Sequence, residues 1–196
     1  MEQVTPKGFR RWKHRDGWRL CHPAIPICLA LGFGLSLPCA CQAADEHPEY
    51  QVKAAFLLNF TKFIEWPAAA FEASDSPIAI CILGADPFGS EMDQIVAGEL
   101  VNGRKVTVQR IKHAPPPKSC QVLFAVESEK DIAKTLRGLG PGILTVGEGE
   151  SFVRAGGMIG FIVENRHVRF EINRTETENA GIKVSSRLLN VAKSVE

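Results

Sequence analysis

Ile143-Leu-Thr-Val-Gly147, Gly156-Gly-Met-Ile-Gly-Phe-Ile-Val163, Val168-Arg-Phe-Glu-Ile-Asn173 and Ala180-Gly-Ile-Lys-Val-Ser-Ser-Arg-Leu-Leu189 make up the stretch that decides the fold. Three short apolar runs are separated by turn residues and followed by one amphipathic run. That pattern predicts three strands and a closing helix. Asn165-Arg166 falls between predicted strands over 159–164 and 167–173. It reads as a tight hairpin turn, which makes that edge antiparallel.

Upstream, strands alternate with helices. A helix is expected over 47–65, with Pro48 suited to its first turn, Val52, Phe56, Phe60 and Phe63 on one apolar face, and Leu57 and Ile64 widening it. Lys53, Asn59, Lys62 and Glu65 fall at its polar positions, and Trp66-Pro67 ends it. Ile78-Ala-Ile-Cys-Ile-Leu83 is a continuous apolar strand, which implies burial on both faces. Asp86-Pro87 then reads as N-cap and first residue of a helix reaching Ala97, which Gly98 stops. Lys105-Val-Thr-Val-Gln-Arg-Ile111 alternates, as a more exposed strand does. His113-Ala-Pro-Pro-Pro117 is a stiff connection, and Cys120-Gln-Val-Leu-Phe-Ala-Val126 is a second buried strand. Ser128-Glu-Lys-Asp131 resembles a capping box opening a helix to Leu136. Ser151-Phe-Val-Arg154 suits one helical turn. The expected fold is α/β: a single domain with a mixed, mostly parallel sheet and helices packed on its faces.

The first residues belong to a different class. Lys7, Arg10, Arg11, Lys13, Arg15 and Arg19 precede an apolar run over 24–37, and small residues follow at Ala40, Ala43 and Ala44. Basic, apolar, small is the order of a secretory signal peptide. The apolar run falls short of the roughly 20 residues that span a bilayer, although a retained N-terminal anchor is the other reading. Pro38 beside Cys39 argues against a lipoprotein, and Arg10-Arg11 lies too far from the apolar run for a good twin-arginine signal. Cleavage near Ala43 or Ala44 divides the chain into a leader, 1–44, and one exported domain, 45–196.

Export changes the charge and the cysteine reading. The leader holds six basic and two acidic residues, so the chain's +1 becomes −3 for the remainder. A mildly acidic domain is a poor nucleic-acid binder. Cys81 and Cys120 alone remain, an even pair that reads either as one disulfide or as two separate buried thiols.

Sequence signals for chemistry are sparse. His47, His113 and His167 lie far apart, with no HxH, HExxH or CxxC spacing, so no metal and no cofactor are expected. Ser185-Ser186 lies in a helical pattern without a nucleophile elbow. Gly84-Ala-Asp-Pro-Phe-Gly89 follows a strand and opens a helix, so it reads as a cap, with ligand contact as its second reading. Gly147-Glu-Gly-Glu150 reads as a mobile acidic turn. Arg169, Glu171 and Asn173 alternate along one strand, either as a solvated face or as a recognition surface. With Phe152 they are the candidate partner- or ligand-binding residues. These signals favour binding over catalysis, so no enzyme is expected.

Several blocks, in order, are similar to a known family. Glu49-Tyr-Gln-Val-Lys-Ala-Ala-Phe-Leu-Leu-Asn-Phe-Thr-Lys-Phe-Ile-Glu-Trp-Pro67 resembles the opening helix of the YfiR family of periplasmic proteins. Cys81-Ile-Leu-Gly-Ala-Asp-Pro-Phe88 resembles its first strand and turn. Leu144-Thr-Val-Gly147, Gly156-Gly-Met-Ile159, Arg169-Phe-Glu-Ile-Asn173 and Ala180-Gly-Ile-Lys-Val-Ser-Ser-Arg-Leu-Leu189 match its later blocks. The resemblance implies an exported α/β regulator without catalytic activity. Such a protein represses an inner-membrane sensor, a diguanylate cyclase or a kinase, by binding its periplasmic part. It also implies cyclic di-GMP and biofilm as the outcome, relief by an outer-membrane lipoprotein, a homodimer, and a Cys81–Cys120 disulfide. The namesake's second disulfide has no further cysteines in residues 45–196. A periplasmic small-ligand-binding module without a cyclase partner is the alternative.

Overall fold

The computed structural model describes residues 48–113 and 118–196. The expected leader, its apolar run, the cleavage near Ala43 or Ala44 and the proline tract lie outside these residues.

In chain order the elements are α1 (Pro48–Phe63), β1 (Ile64–Glu65), β2 (Ile78–Leu83), α2 (Ser90–Val96), β3 (Leu100–Val101) and β4 (Arg104–Ile111). Then come β5 (Cys120–Ala125), α3 (Ile132–Arg137), β6 (Leu144–Glu148), α4 (Glu150–Arg154) and β7 (Ile159–Glu164). The chain closes with β8 (His167–Ile172), α5 (Arg174–Asn179), β9 (Lys183–Val184), α6 (Ser186–Val191) and β10 (Ser194–Val195). Eight strands form the main sheet in the order β10-β8-β7-β6-β5-β2-β4-β3. Strands β4, β2, β5, β6 and β7 run parallel, and β8 returns antiparallel to β7. The expected α/β class, with a mixed, mostly parallel sheet, is the observed one.

Both sheet faces are covered, which is why β2 is apolar throughout and β5 is apolar apart from Gln121. On one face Ile80, Phe124, Phe161 and Phe170 pack against Leu57 and Phe60 of α1. Phe60 lies 5.1 Å from Phe170 and 5.7 Å from Phe161, centroid to centroid. Aromatic pairs at such spacing add stability beyond their buried area, about 0.5–1.5 kcal/mol each. On the other face Cys81, Leu83, Leu123 and Phe152 meet Ile132 and Leu136 of α3.

The disulfide joins Cys81 to Cys120 across neighbouring strands, with Cα atoms 6.0 Å apart. A regular pairing would send Cys120 to the opposite face, because β5 is in register with Ile80 opposite Val122. The register shifts by one residue there, so that Ala79 pairs with Cys120. The extra residue, Gln121, is buried, and its side chain bonds to backbone groups of Ala79 and Ala70. Its Oε1 accepts from the Ala79 N–H at 2.9 Å, and its Nε2 donates to the Ala70 carbonyl at 2.8 Å. A bulge of one residue reverses which face a side chain occupies, and here that brings the two sulfurs together.

Four local expectations are corrected. Val52 is not part of the buried face of α1 but 44% exposed, while Lys53 is only 3% exposed. The helix turns this way because Lys53 has a buried acidic partner, described below. Asp86 caps a turn, not a helix. Its Oδ1 accepts from Phe88 and Gly89, and α2 begins four residues later. Ser128 forms no capping box; α3 starts behind Asp131, which adopts a left-handed conformation. The closing run is not one helix. Gly181 has φ +72°, Lys183–Val184 pairs antiparallel with Ile64–Glu65, and Ser185 then caps α6. The hairpin at Asn165-Arg166 forms as expected, with φ of 49° and 64°.

Replacing both cysteines by alanine frees a loop of 39 residues in the unfolded chain. Urea titration is expected to show about 4 kcal/mol lost, and an unchanged midpoint would contradict a structural role for the bridge.

Candidate functional site

Strand β2 begins the parallel sheet. The chain adds β4 on one side of it and then returns to place β5 on the other. The direction of sheet growth therefore reverses between β2 and β5. In open α/β sheets, ligands bind in the crevice at the carboxyl ends of the strands beside such a point. Those ends are Leu83, Ala125 and, one strand further, Glu148, and the N-terminal turn of α1 meets them there. Tyr50 is set edge-on against Phe88, with ring centroids 5.6 Å apart.

Two adjoining cavities open at this end. One, of about 440 Å³, is lined by Tyr50, Asp86, Glu127, Ser128 and Glu148. The other, of about 550 Å³, is lined by Glu49, Tyr50, Lys53, Glu148, Glu164 and Lys193 among others. Tyr50, Glu127 and Glu148 belong to both.

At their shared wall lies a buried ion pair. The Lys53 ammonium is 2.5 Å from Glu148 Oε1 and 2.5 Å from Glu49 Oε1. It also stands 4.5 Å from the centre of the Tyr50 ring, within cation–π range. Glu148 Oε2 accepts from the Glu127 backbone N–H at 3.0 Å. The lysine and its acceptor are therefore paired and hydrogen-bonded, the condition for keeping charges inside a protein. Burial alone would lower the Lys53 pKa, but hydrogen bonds to Glu148 and Glu49 outweigh it, and the group titrates above its ordinary value. The Tyr50 phenol is also pushed up, first by burial and then by the charge on Glu148. At neutral pH the wall presents an ammonium, carboxylates and an intact phenol, an arrangement suited to holding polar groups. Among the described residues no group of three His, Cys, Asp or Glu could hold a metal.

Beside the crevice, Arg110 holds the turn after β2. Its guanidinium reaches Asp86 and Asp93, each at 2.6 Å, and donates to the Gly89 carbonyl at 2.7 Å. These bonds raise its pKa further, and the Asp93 carboxyl is lowered in return.

The residues singled out in the sequence lie elsewhere. Arg169 is exposed on β8 opposite Ile162. Glu171 is half-buried on the same strand, 3.9 Å from the Lys193 ammonium, which pairs with Glu164 at 2.6 Å. Asn173 follows the strand, which ends at Ile172, and caps α5, its Oδ1 accepting from the Glu176 N–H at 3.0 Å. Phe152 is 4% exposed, its ring lying where a Cβ on Gly147 or Gly157 would be. Arg169 and Glu171 share a strand face; Asn173 and Phe152 do not join it. Sequence reasoning missed Lys53, Glu148 and Tyr50. A lysine next to apolar positions and an acid ending an apolar strand are weak signals alone, and only their pairing carries meaning.

Lys53→Met strands Glu148 in the interior. A loss of about 3–5 kcal/mol is expected in urea unfolding, with most of it recovered in Lys53→Met/Glu148→Met. Lys53 and Tyr50 both titrate above their ordinary 10.5 and 10.0. Their protons are held more tightly folded than unfolded, so their contribution is complete below about pH 10 and lost above it. The difference in unfolding free energy between wild type and Lys53→Met should shrink as pH rises past that point.

No curated protein matches the sequence. Among solved structures, the chain is similar to a conserved domain protein from Vibrio cholerae O1 biovar El Tor str. N16961, with TM-score 0.45 and 11% identity. The match covers 75% of this chain and 60% of that one. A family model described as YfiR/HmsC-like matches residues 50–193, from the tyrosine of the crevice through both cysteines to Lys193. The chain belongs to the YfiR/HmsC-like family, periplasmic regulatory proteins of cyclic di-GMP signalling.

Proposed function

We propose that this protein represses an inner-membrane sensor enzyme, a diguanylate cyclase in the first instance, by binding its periplasmic part. The observation that carries the reading is the family match over residues 50–193. The disulfide supports export, since such bonds persist in oxidising compartments. The locked charges of the crevice favour recognition over turnover. In this reading residues 1–44 are a leader cleaved near Ala43 or Ala44, and the protein acts as a homodimer without catalytic activity. An outer-membrane lipoprotein relieves the repression. The strand face bearing Arg169 and Glu171 is a second contact surface for such partners.

One observation favours a second reading, capture of a small periplasmic ligand. The cavity of about 440 Å³ at the reversal of strand order has the size and place of a ligand site.

Deleting the gene is expected to raise cyclic di-GMP and biofilm, and an unchanged level across several growth conditions would count against the cyclase. A thermal-shift series with nucleotides and aromatic metabolites separates the second reading: stabilisation by a metabolite favours capture. Intact-mass analysis of exported protein is expected to find residues 44–196 or 45–196 with the bridge closed.

A further inference from the structure

The sheet face under α1 is not covered to its end. Phe161 and Phe170 pair across β7 and β8 and pack on Phe56 of α1, at 6.0 and 5.5 Å between centroids. The next pair on that face, two residues along each strand, is Val163 and Val168. Here the cover stops, and Val163 is 49% exposed. Val52, one helical turn before Phe56, is 44% exposed as well. Two branched aliphatic side chains thus stand in solvent at the end of the molecule where the crevice opens, and Val163 lines its larger cavity.

Five carboxylates and two ammonium groups line that cavity. Lys53 is occupied by Glu49 and Glu148, and Lys193 by Glu164. Glu127 has no ion-pair partner among the described residues, and Glu150 has only Arg154 on its own helix, exposed on both sides. Glu150 is thus matched by Arg154, and the excess negative charge is at Glu127 and at Glu49 and Glu148, which share one ammonium, beside the uncovered Val163. Apolar surface next to unneutralised carboxylate complements a particular side chain: an aliphatic stem that carries a cationic head.

We infer that this rim is a docking surface for a basic and apolar segment of a partner protein, Lys or Arg heads meeting Glu127 and the Glu49 carboxylate beside it while aliphatic side chains cover Val52 and Val163. The inference rests on the reading of this protein as a regulator that works by contact, and it names the chemistry of the contact. A small cation would satisfy the carboxylates but leave the valines in water, so a segment of chain is the better occupant. Steering between unlike charges would also make the association rate fall with salt.

The test uses the disulfide-intact exported protein and a blocked octapeptide alternating Val and Lys. Counterparts carry Glu for Lys or Ser for Val. Calorimetry and amide shift mapping should place the Val–Lys peptide at Glu49–Lys53, Glu127 and Val163. Glu127→Lys and Val163→Ser should each weaken it about tenfold, a loss of about 1.4 kcal/mol. Glu127→Gln, which keeps the backbone N–H to Glu148, should weaken it less than the reversal. No binding by the Val–Lys peptide, shifts at another face, or equal affinity for the Val–Glu peptide would overturn the inference. Equal affinity for the Ser–Lys peptide would reduce the site to one for cations and overturn it too. In cells, Glu127→Lys should mimic deletion. Should deletion alter cyclic di-GMP while Glu127→Lys does not, the surface is wrong and the regulatory reading stands. Should deletion have no effect, that reading fails and the peptide titration alone decides the surface.

Discussion

The ammonium group of Lys53 lies inside the protein, and a charge there must have a partner. Glu148, at the carboxyl end of β6, provides it at 2.5 Å. This contact fixes the rotation of α1 about its own axis. With Lys53 turned inward, Leu57 and Phe60 reach the sheet, Tyr50 reaches Phe88, and Val52 is left outside. An apolar residue at position 53 would remove the electrostatic reason for this rotation. Breaking one partner of such a pair is far more damaging than replacing both, because the remaining charge stays buried. The ion pair therefore specifies how the helix sits as much as it stabilises it.

A second device works on the opposite face of the same sheet. The bulge at Gln121 brings Cys120 to the side of Cys81, and the glutamine Oε1 takes the Ala79 N–H of β2 while its Nε2 holds the Ala70 carbonyl outside the sheet. Next to it, Gly147 and Gly157 leave room for the Phe152 ring, and Gly160 lies close to Val153. Side chains at these glycines would push α4 off the sheet. Both faces are thus closed at the centre, while the rim at the strand carboxyl ends stays open and charged.

That distribution suits a protein that acts by being touched. The interior is stapled, the crevice wall is held by paired charges and a backbone N–H, and the uncovered residues lie around its mouth. A rigid surface of this kind loses little entropy when a partner arrives. Membership of the YfiR/HmsC-like family gives the surface its setting, in periplasmic regulation of cyclic di-GMP signalling.

The alternation of strands and helices, the hairpin at Asn165-Arg166 and the two-sided burial of β2 were legible in the sequence. Each is a local matter, carried by hydrophobic period and turn chemistry within a few residues. The count of cysteines in residues 45–196 left one disulfide or two buried thiols open, and the register of β2 and β5 decided for the bridge. The candidate site was not legible, since its residues come from positions 49 to 53, 127 and 148. Lys53 read as a polar helix position because nothing near it in sequence announces an acid 95 residues away. Glu148 read as part of a mobile turn for the same reason. The split of the closing run was hidden likewise, because Lys183–Val184 takes its hydrogen bonds from Ile64–Glu65, far upstream. Local propensity and pattern thus determined the class of fold and its element order. That Lys53 rather than Val52 lies on the buried face of α1, where β5 bulges and which charges meet were decided by tertiary structure alone, because buried charge and buried backbone accept only partners that folding brings to them.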